Sequence, residues 1–76
     1  MNTSRIDEAI LSAAQLGWRK IAMVIVAAAE AEGTGVPSGK KGYEVIASRI
    51  EALVEEGRLV AQGNLKRWRY REVRLP

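Results

Sequence analysis

Residues 43–57, Y-E-V-I-A-S-R-I-E-A-L-V-E-E-G, run without a break into residues 58–75, R-L-V-A-Q-G-N-L-K-R-W-R-Y-R-E-V-R-L. The first stretch has the period of a helix. Tyr43, Ile46, Ala47, Ile50, Leu53 and Val54 recur so that they share one face, which predicts a helix over 43–56 with an inward apolar stripe. Gly57 follows as a stop, because glycine enters the left-handed conformation without a Cβ penalty. Glu44, Val45, Ser48, Glu51, Ala52 and Glu55 face outward, with Arg49 at the margin.

The second stretch reads as a hairpin with strands over 58–62 and 66–74. Gly63-Asn64 is a two-residue turn signal. With those residues as the turn, Gln62 faces Leu65, Ala61 faces Lys66 and Leu59 faces Trp68. Side chains alternate along a strand, so Leu59, Ala61, Trp68 and Tyr70 fall on one face. The other face carries Arg58, Val60, Arg67, Arg69 and Arg71. The first set is expected in the core and the second forms a basic strip. Beyond Tyr70 the apolar parity switches to Val73 and Leu75. A bulge or a change of partner near Arg71-Glu72 accounts for that switch.

Upstream, the pattern predicts a helix over about 5–16. Ile6, Ala9, Ile10, Ala13 and Leu16 share a face, Leu11 points away, and Gly17 stops the helix. Ser4 and Asp7 have capping-box spacing. A second helix is expected over 18–32. Its I-A-M-V-I-V run would suit a strand, but it continues into A-A-A-E-A-E, which favours helix. Trp18, Ile21, Ala22, Ile25, Ala28 and Ala29 make its inward face. Met23, Val24 and Ala27 leave the opposite side apolar, either as a face covered by neighbouring elements or as a contact surface. Residues 33–42, G-T-G-V-P-S-G-K-K-G, form a loop. Gly39-Lys40 resembles the end of a phosphate loop, but Thr34 and Lys41 stand where that motif requires Gly and Ser or Thr.

Composition narrows the chemistry. Seventy-six residues make one domain, and 47% are hydrophobic, which is too many for a disordered chain. A domain this small needs its large apolar side chains for the core. There is no Cys and no His. Thiolate metal sites and disulfides are thereby excluded, and the commonest general base and metal ligand is missing. The sequence offers no cofactor or small-molecule site and no catalytic constellation. The polar N-terminus M-N-T-S-R-I-D-E lacks the form of a signal peptide, and the longest apolar run is too short to span a bilayer. A cytoplasmic, non-enzymatic protein is the expectation.

Three helices followed by a two-stranded wing resemble the winged helix-turn-helix class, with L-V-E-E-G-R-L-V and W-R-Y as the passage from third helix to wing. The tail N-L-K-R-W-R-Y-R-E-V-R-L is similar to that of a small bacterial domain family of unknown function, often placed at the C-terminus of longer proteins. The winged-helix resemblance implies nucleic-acid binding. Its usual mode inserts the third helix into the major groove, but Glu44, Glu51 and Glu55 would repel phosphates there. Arg58, Lys66, Arg67, Arg69 and Arg71 of the wing are therefore the candidate nucleic-acid contacts, since arginine suits phosphate and guanine. Basic charge on a strand also discourages edge-to-edge aggregation, which is the structural alternative. The rival reading is an interaction or dimerisation module that uses Met23, Val24 and Ala27.

Overall fold

The computed structural model describes residues 2–63 and 71–76. Its elements run α1 (Thr3–Ala13), β1 (Arg19–Lys20), α2 (Ile21–Glu30), α3 (Lys40–Glu55), β2 (Val60–Gln62) and β3 (Glu72–Arg74). The strands form an antiparallel sheet in the order β1-β3-β2. The fold is mainly helical with a small sheet, and the sheet has three strands where a two-stranded hairpin was expected.

Each helix buries a stripe at helical spacing. Ile6, Ile10 and then Ala14 come from α1 and its cap, Ile21, Val24, Ile25 and Ala28 from α2, and Ile46, Ile50 and Leu53 from α3. Leu59 and Val73 close the same cluster from the sheet side. β-Branched residues dominate, and their stiff χ1 angles cost little further entropy on packing. Ile10, Ile46 and Leu53 are fully buried. Truncating any one to alanine removes about 2–5 kcal/mol in a core packed to this degree.

The helix ends depart from expectation in instructive ways. Asn2, not Ser4, caps α1, its Oδ1 accepting from Arg5 N at 3.1 Å. Asp7 is thus released from the capping box. α2 starts at Ile21 rather than Trp18, because Arg19 and Lys20 pair with β3. The first helical N–H, an orphan donor in any helix, is satisfied when Ile21 N donates to Arg71 O at 2.9 Å. α3 begins three residues before the expected Tyr43, so Lys40, Lys41 and Gly42 belong to its first turn and not to the loop. It ends in a Schellman motif: Gly57 N donates to Val54 O (3.1 Å), Arg58 N to Leu53 O (2.9 Å), and Gly57 takes φ 78°.

The hairpin register also differs. Gln62 lies opposite Glu72, Ala61 opposite Val73 and Val60 opposite Arg74, where the turn signal put Gln62 opposite Leu65 and Ala61 opposite Lys66. The expected partner of Leu59 and the turn residue Asn64 lie outside the described residues. Alternation itself holds: Leu59 is buried and Val60 exposed, with Ala61 half-buried between Val60 and Gln62. Val73, fully buried, is the residue that fixes the pairing. Trp68 and Tyr70 lie outside the described residues.

Four further residues expected inside are at the surface. Leu16 follows the end of α1 and is 81% exposed. Trp18, which precedes α2 rather than opening it, is exposed, and so are Tyr43 and Ala22. Leu11, expected to point away, packs against the core.

Gly42 generates a test. It sits in the first turn of α3, where Gly→Ala ordinarily stabilises by about 1 kcal/mol. Here an added Cβ would overlap the Pro37 carbonyl oxygen, a backbone atom that must move. Gly42→Ala is expected to destabilise by about 1–3 kcal/mol, reversing the usual sign. Chemical denaturation checks it, and a stabilised variant would mean that the loop does not pack on α3.

Candidate interaction surfaces

Three surfaces hold the residues that the sequence singles out. The first is the basic strip. Arg58 is exposed at the end of α3. Arg71 precedes β3 and is half-buried; its carbonyl is engaged by Ile21, and its Nε is buried without a hydrogen-bond partner among the described residues. Arg71 is thus not a freely solvated member of a strip. Lys66, Arg67 and Arg69 lie outside the described residues. Arg74, which the sequence reading did not select, is exposed on β3, with its guanidinium 5.5 Å from the Trp18 ring centroid. That geometry is a cation–π contact, and it gives half-exposed Trp18 a partner.

The second surface lies between the end of α1 and α2. Ser12, Ala13, Leu16, Arg19, Met23, Val24 and Ala27 line a depression of about 210 Å³. Leu16 is 81% and Met23 59% exposed, and Ala27 is exposed beside them. Val24, expected with Met23 and Ala27 on the contact face, is only 1% exposed. It packs in the core because α2 turns its Ile21–Val24–Ile25–Ala28 stripe inward, about 100° per residue away from Met23. Leu16 replaces it as the dominant exposed apolar group. The helical pattern placed Leu16 on the inward face of the first helix, but α1 ends at Ala13 and Leu16 sits in the turn beyond it.

The third surface is a groove of about 790 Å³ along α3. Ala47, Ile50 and Val54 give it an apolar floor with Ile21, while Glu44, Glu51 and Glu55 stand exposed along it. Tyr43 lines it from the first half of the helix and Arg71 from the sheet side. The carboxylates fall on one face because they are spaced by whole helical turns.

A partly buried ion pair braces the helices behind these surfaces. Arg49 Nε donates to Asp7 Oδ1 at 2.9 Å and Arg49 Nη2 to Asp7 Oδ2 at 2.8 Å. The fork is bidentate, and Asp7 is 8% exposed. The hydrogen bond that Arg49 donates to Asp7 raises the guanidinium above its ordinary pKa; burial works against this, while the charges of Asp7 and Glu56 add to it. Arg49 therefore stays charged at every working pH. It joins residues 42 positions apart, which is why sequence spacing did not reveal it.

Among the described residues no group of His, Cys, Asp or Glu could hold a metal ion. No described helix is long and apolar enough to cross a membrane. No protein-family model matches the chain, and no curated protein or solved structure matches it significantly.

The ion pair predicts non-additive substitutions. Arg49→Met strands the Asp7 carboxylate beside the core and lowers Tm, and Asp7→Leu strands the guanidinium likewise. The Asp7→Leu/Arg49→Met double variant should melt above either single, since replacing both partners removes the stranded charge. Thermal unfolding followed by circular dichroism reads this, and a double variant that melts at the sum of the single losses would contradict it.

Proposed function

We propose that the chain is a non-enzymatic, winged-helix-like interaction domain that pairs with a second copy of itself through Leu16, Met23 and Ala27. The winged-helix part is supported by three helices followed by the antiparallel β2–β3 pair. The observation that carries the interaction reading is the apolar patch, where two of the most exposed large apolar side chains, Leu16 and Met23, flank one depression. Single exposed apolar residues need no explanation, but a concave group of them does. Arg19 is the one charged residue at its border. Two copies related by a two-fold axis can then meet on apolar atoms, with the arginine at the wet rim.

A second reading, nucleic-acid binding through the wing, is favoured by charge. Arg58, Lys66, Arg67, Arg69, Arg71 and Arg74 all fall between positions 58 and 74, against the single acid Glu72. Arg58 and Arg74 are exposed. The glutamates of α3 argue against a helix-first mode and leave the basic segment as the contact.

Sedimentation separates the two. Self-association should appear as a concentration-dependent dimer, and both Met23→Glu and Leu16→Glu should weaken it by about 10-fold or more, because each buries an unpaired carboxylate. A monomer at high concentration overturns the dimer. In parallel, mixed-sequence duplex DNA is titrated at low and high salt. Binding whose salt slope drops by about one unit for each of Arg58→Glu and Arg74→Glu would favour the second reading.

A further inference from the structure

The groove along α3 does not belong to the patch just described and shares no residue with it. Its volume, about 790 Å³, lies in the range of sites that seat a ligand rather than a few waters. Its composition is particular. The floor is aliphatic, from Ala47, Ile50, Val54 and Ile21; the carboxylates of Glu44, Glu51 and Glu55 stand exposed along it, with Lys40 at the N-terminal end of α3 and Arg71 on the sheet side as its cations. None of these glutamates makes an ion pair among the described residues, where Arg5–Glu8 and Arg49–Asp7 are the pairs formed.

We propose that this groove docks a basic, apolar-anchored peptide segment of a partner protein, its aliphatic side chains on the floor and its Arg or Lys side chains on Glu44, Glu51 and Glu55. The charge argument is local. The chain as a whole carries +3, yet three carboxylates against Lys40 and Arg71 leave this groove with an acidic excess, and Glu51 and Glu55 stand well along the helix from Lys40. Glu51 and Glu55 also lie in the C-terminal half of a 16-residue helix, whose dipole adds partial negative charge where they stand. A polyanion meets repulsion on such a face, and a purely aliphatic helix would leave three carboxylates facing apolar surface. A cationic amphipathic segment satisfies both floor and rim, in the manner of a peptide laid in a groove. Arg71 at the sheet side brings a buried Nε–H without an acceptor among the described residues, and a backbone carbonyl of the docked segment supplies one.

The partner class rests on the interaction-domain reading, but the residues are different, so the test runs on the full chain whether or not it dimerises. Isotope-labelled protein is titrated with a synthetic amphipathic peptide of leucine and arginine, roughly 12 residues long to match the stretch of α3 from Glu44 to Glu55 at about 1.5 Å per residue. The control is the same peptide with glutamate for arginine. Saturable amide shifts centred on Glu44, Ala47, Glu51 and Val54 are expected with the arginine peptide and none with the glutamate peptide. Glu51→Gln and Glu55→Gln should each weaken binding by about 2–5-fold, as exposed ion pairs do. Ser48→Arg, at an exposed groove position, should abolish it while leaving the melting curve intact. Several outcomes overturn the proposal. They are no saturable shift, equal binding of both peptides, shifts confined to the Leu16–Met23 patch, or groove contacts from the chain's own residues 64–70 in the free protein. Duplex DNA shifting the groove residues in place of the peptide would overturn it too.

Discussion

Val73 is the residue on which the two halves of the molecule close. It is fully buried, lies opposite Arg19 in β1 and Ala61 in β2, and belongs to the same apolar cluster as the three helices. β3 is therefore the central strand, although it comes last in the chain. Its position brings the Arg71 carbonyl onto the first amide of α2 and sets Glu72 opposite Lys20 and Gln62. A domain of this size has little core to spare, and one buried valine that joins both edge strands to three helices governs a large share of it.

That closure also distributes the chemistry of the surface. With Ile46, Ile50 and Leu53 of α3 held inward against α1, α2 and the sheet, the glutamates of the helix have nowhere to go but outward. The acidic face is a consequence of the stripe, and it makes α3 a poor element to place against phosphates. The Asp7–Arg49 fork keeps the remaining charge near the core neutralised, so the ionic groups left on the working surfaces are those already facing solvent. α2 is apolar on nearly all sides. It can bury only its Ile21–Val24–Ile25–Ala28 stripe, which leaves Met23, Val26 and Ala27 outside.

Much of the helical framework was legible in the sequence because stripes such as Ile6–Ile10 and Ile46–Ile50–Leu53 obey one period over several turns. The choice of helix over strand for I-A-M-V-I-V was decided by the alanines that follow. What was not legible has physical causes. β1 is two residues long and has no period to read, so Trp18–Lys20 looked like the start of α2. Register was inferred from a turn signal, yet the apolar parity switch at Val73 carried more weight, since the core cannot accept Arg74 in its place. Asn2 rather than Ser4 caps α1, and Asp7 is held by Arg49, a contact invisible to local spacing. Of the candidate site residues, Met23 and Ala27 are exposed as a contact surface requires and Val24 is not, while Leu16, expected on the inward face of the first helix, lies outside because residues beyond a helix end follow no helical face. Lys66, Arg67 and Arg69 lie outside the described residues, so the basic strip rests on Arg58 and the half-buried Arg71.

The most direct measurement of this account is the backbone NOE pattern of residue 73 in the intact, labelled chain. The account predicts cross-strand contacts from Val73 to both Ala61 and Arg19, with Glu72 in contact with Gln62 and Lys20. Contacts that instead set Gln62 opposite Leu65, with residues 72–74 free of residues 19 and 20, would contradict it and remove the central strand on which the arrangement of both surfaces depends.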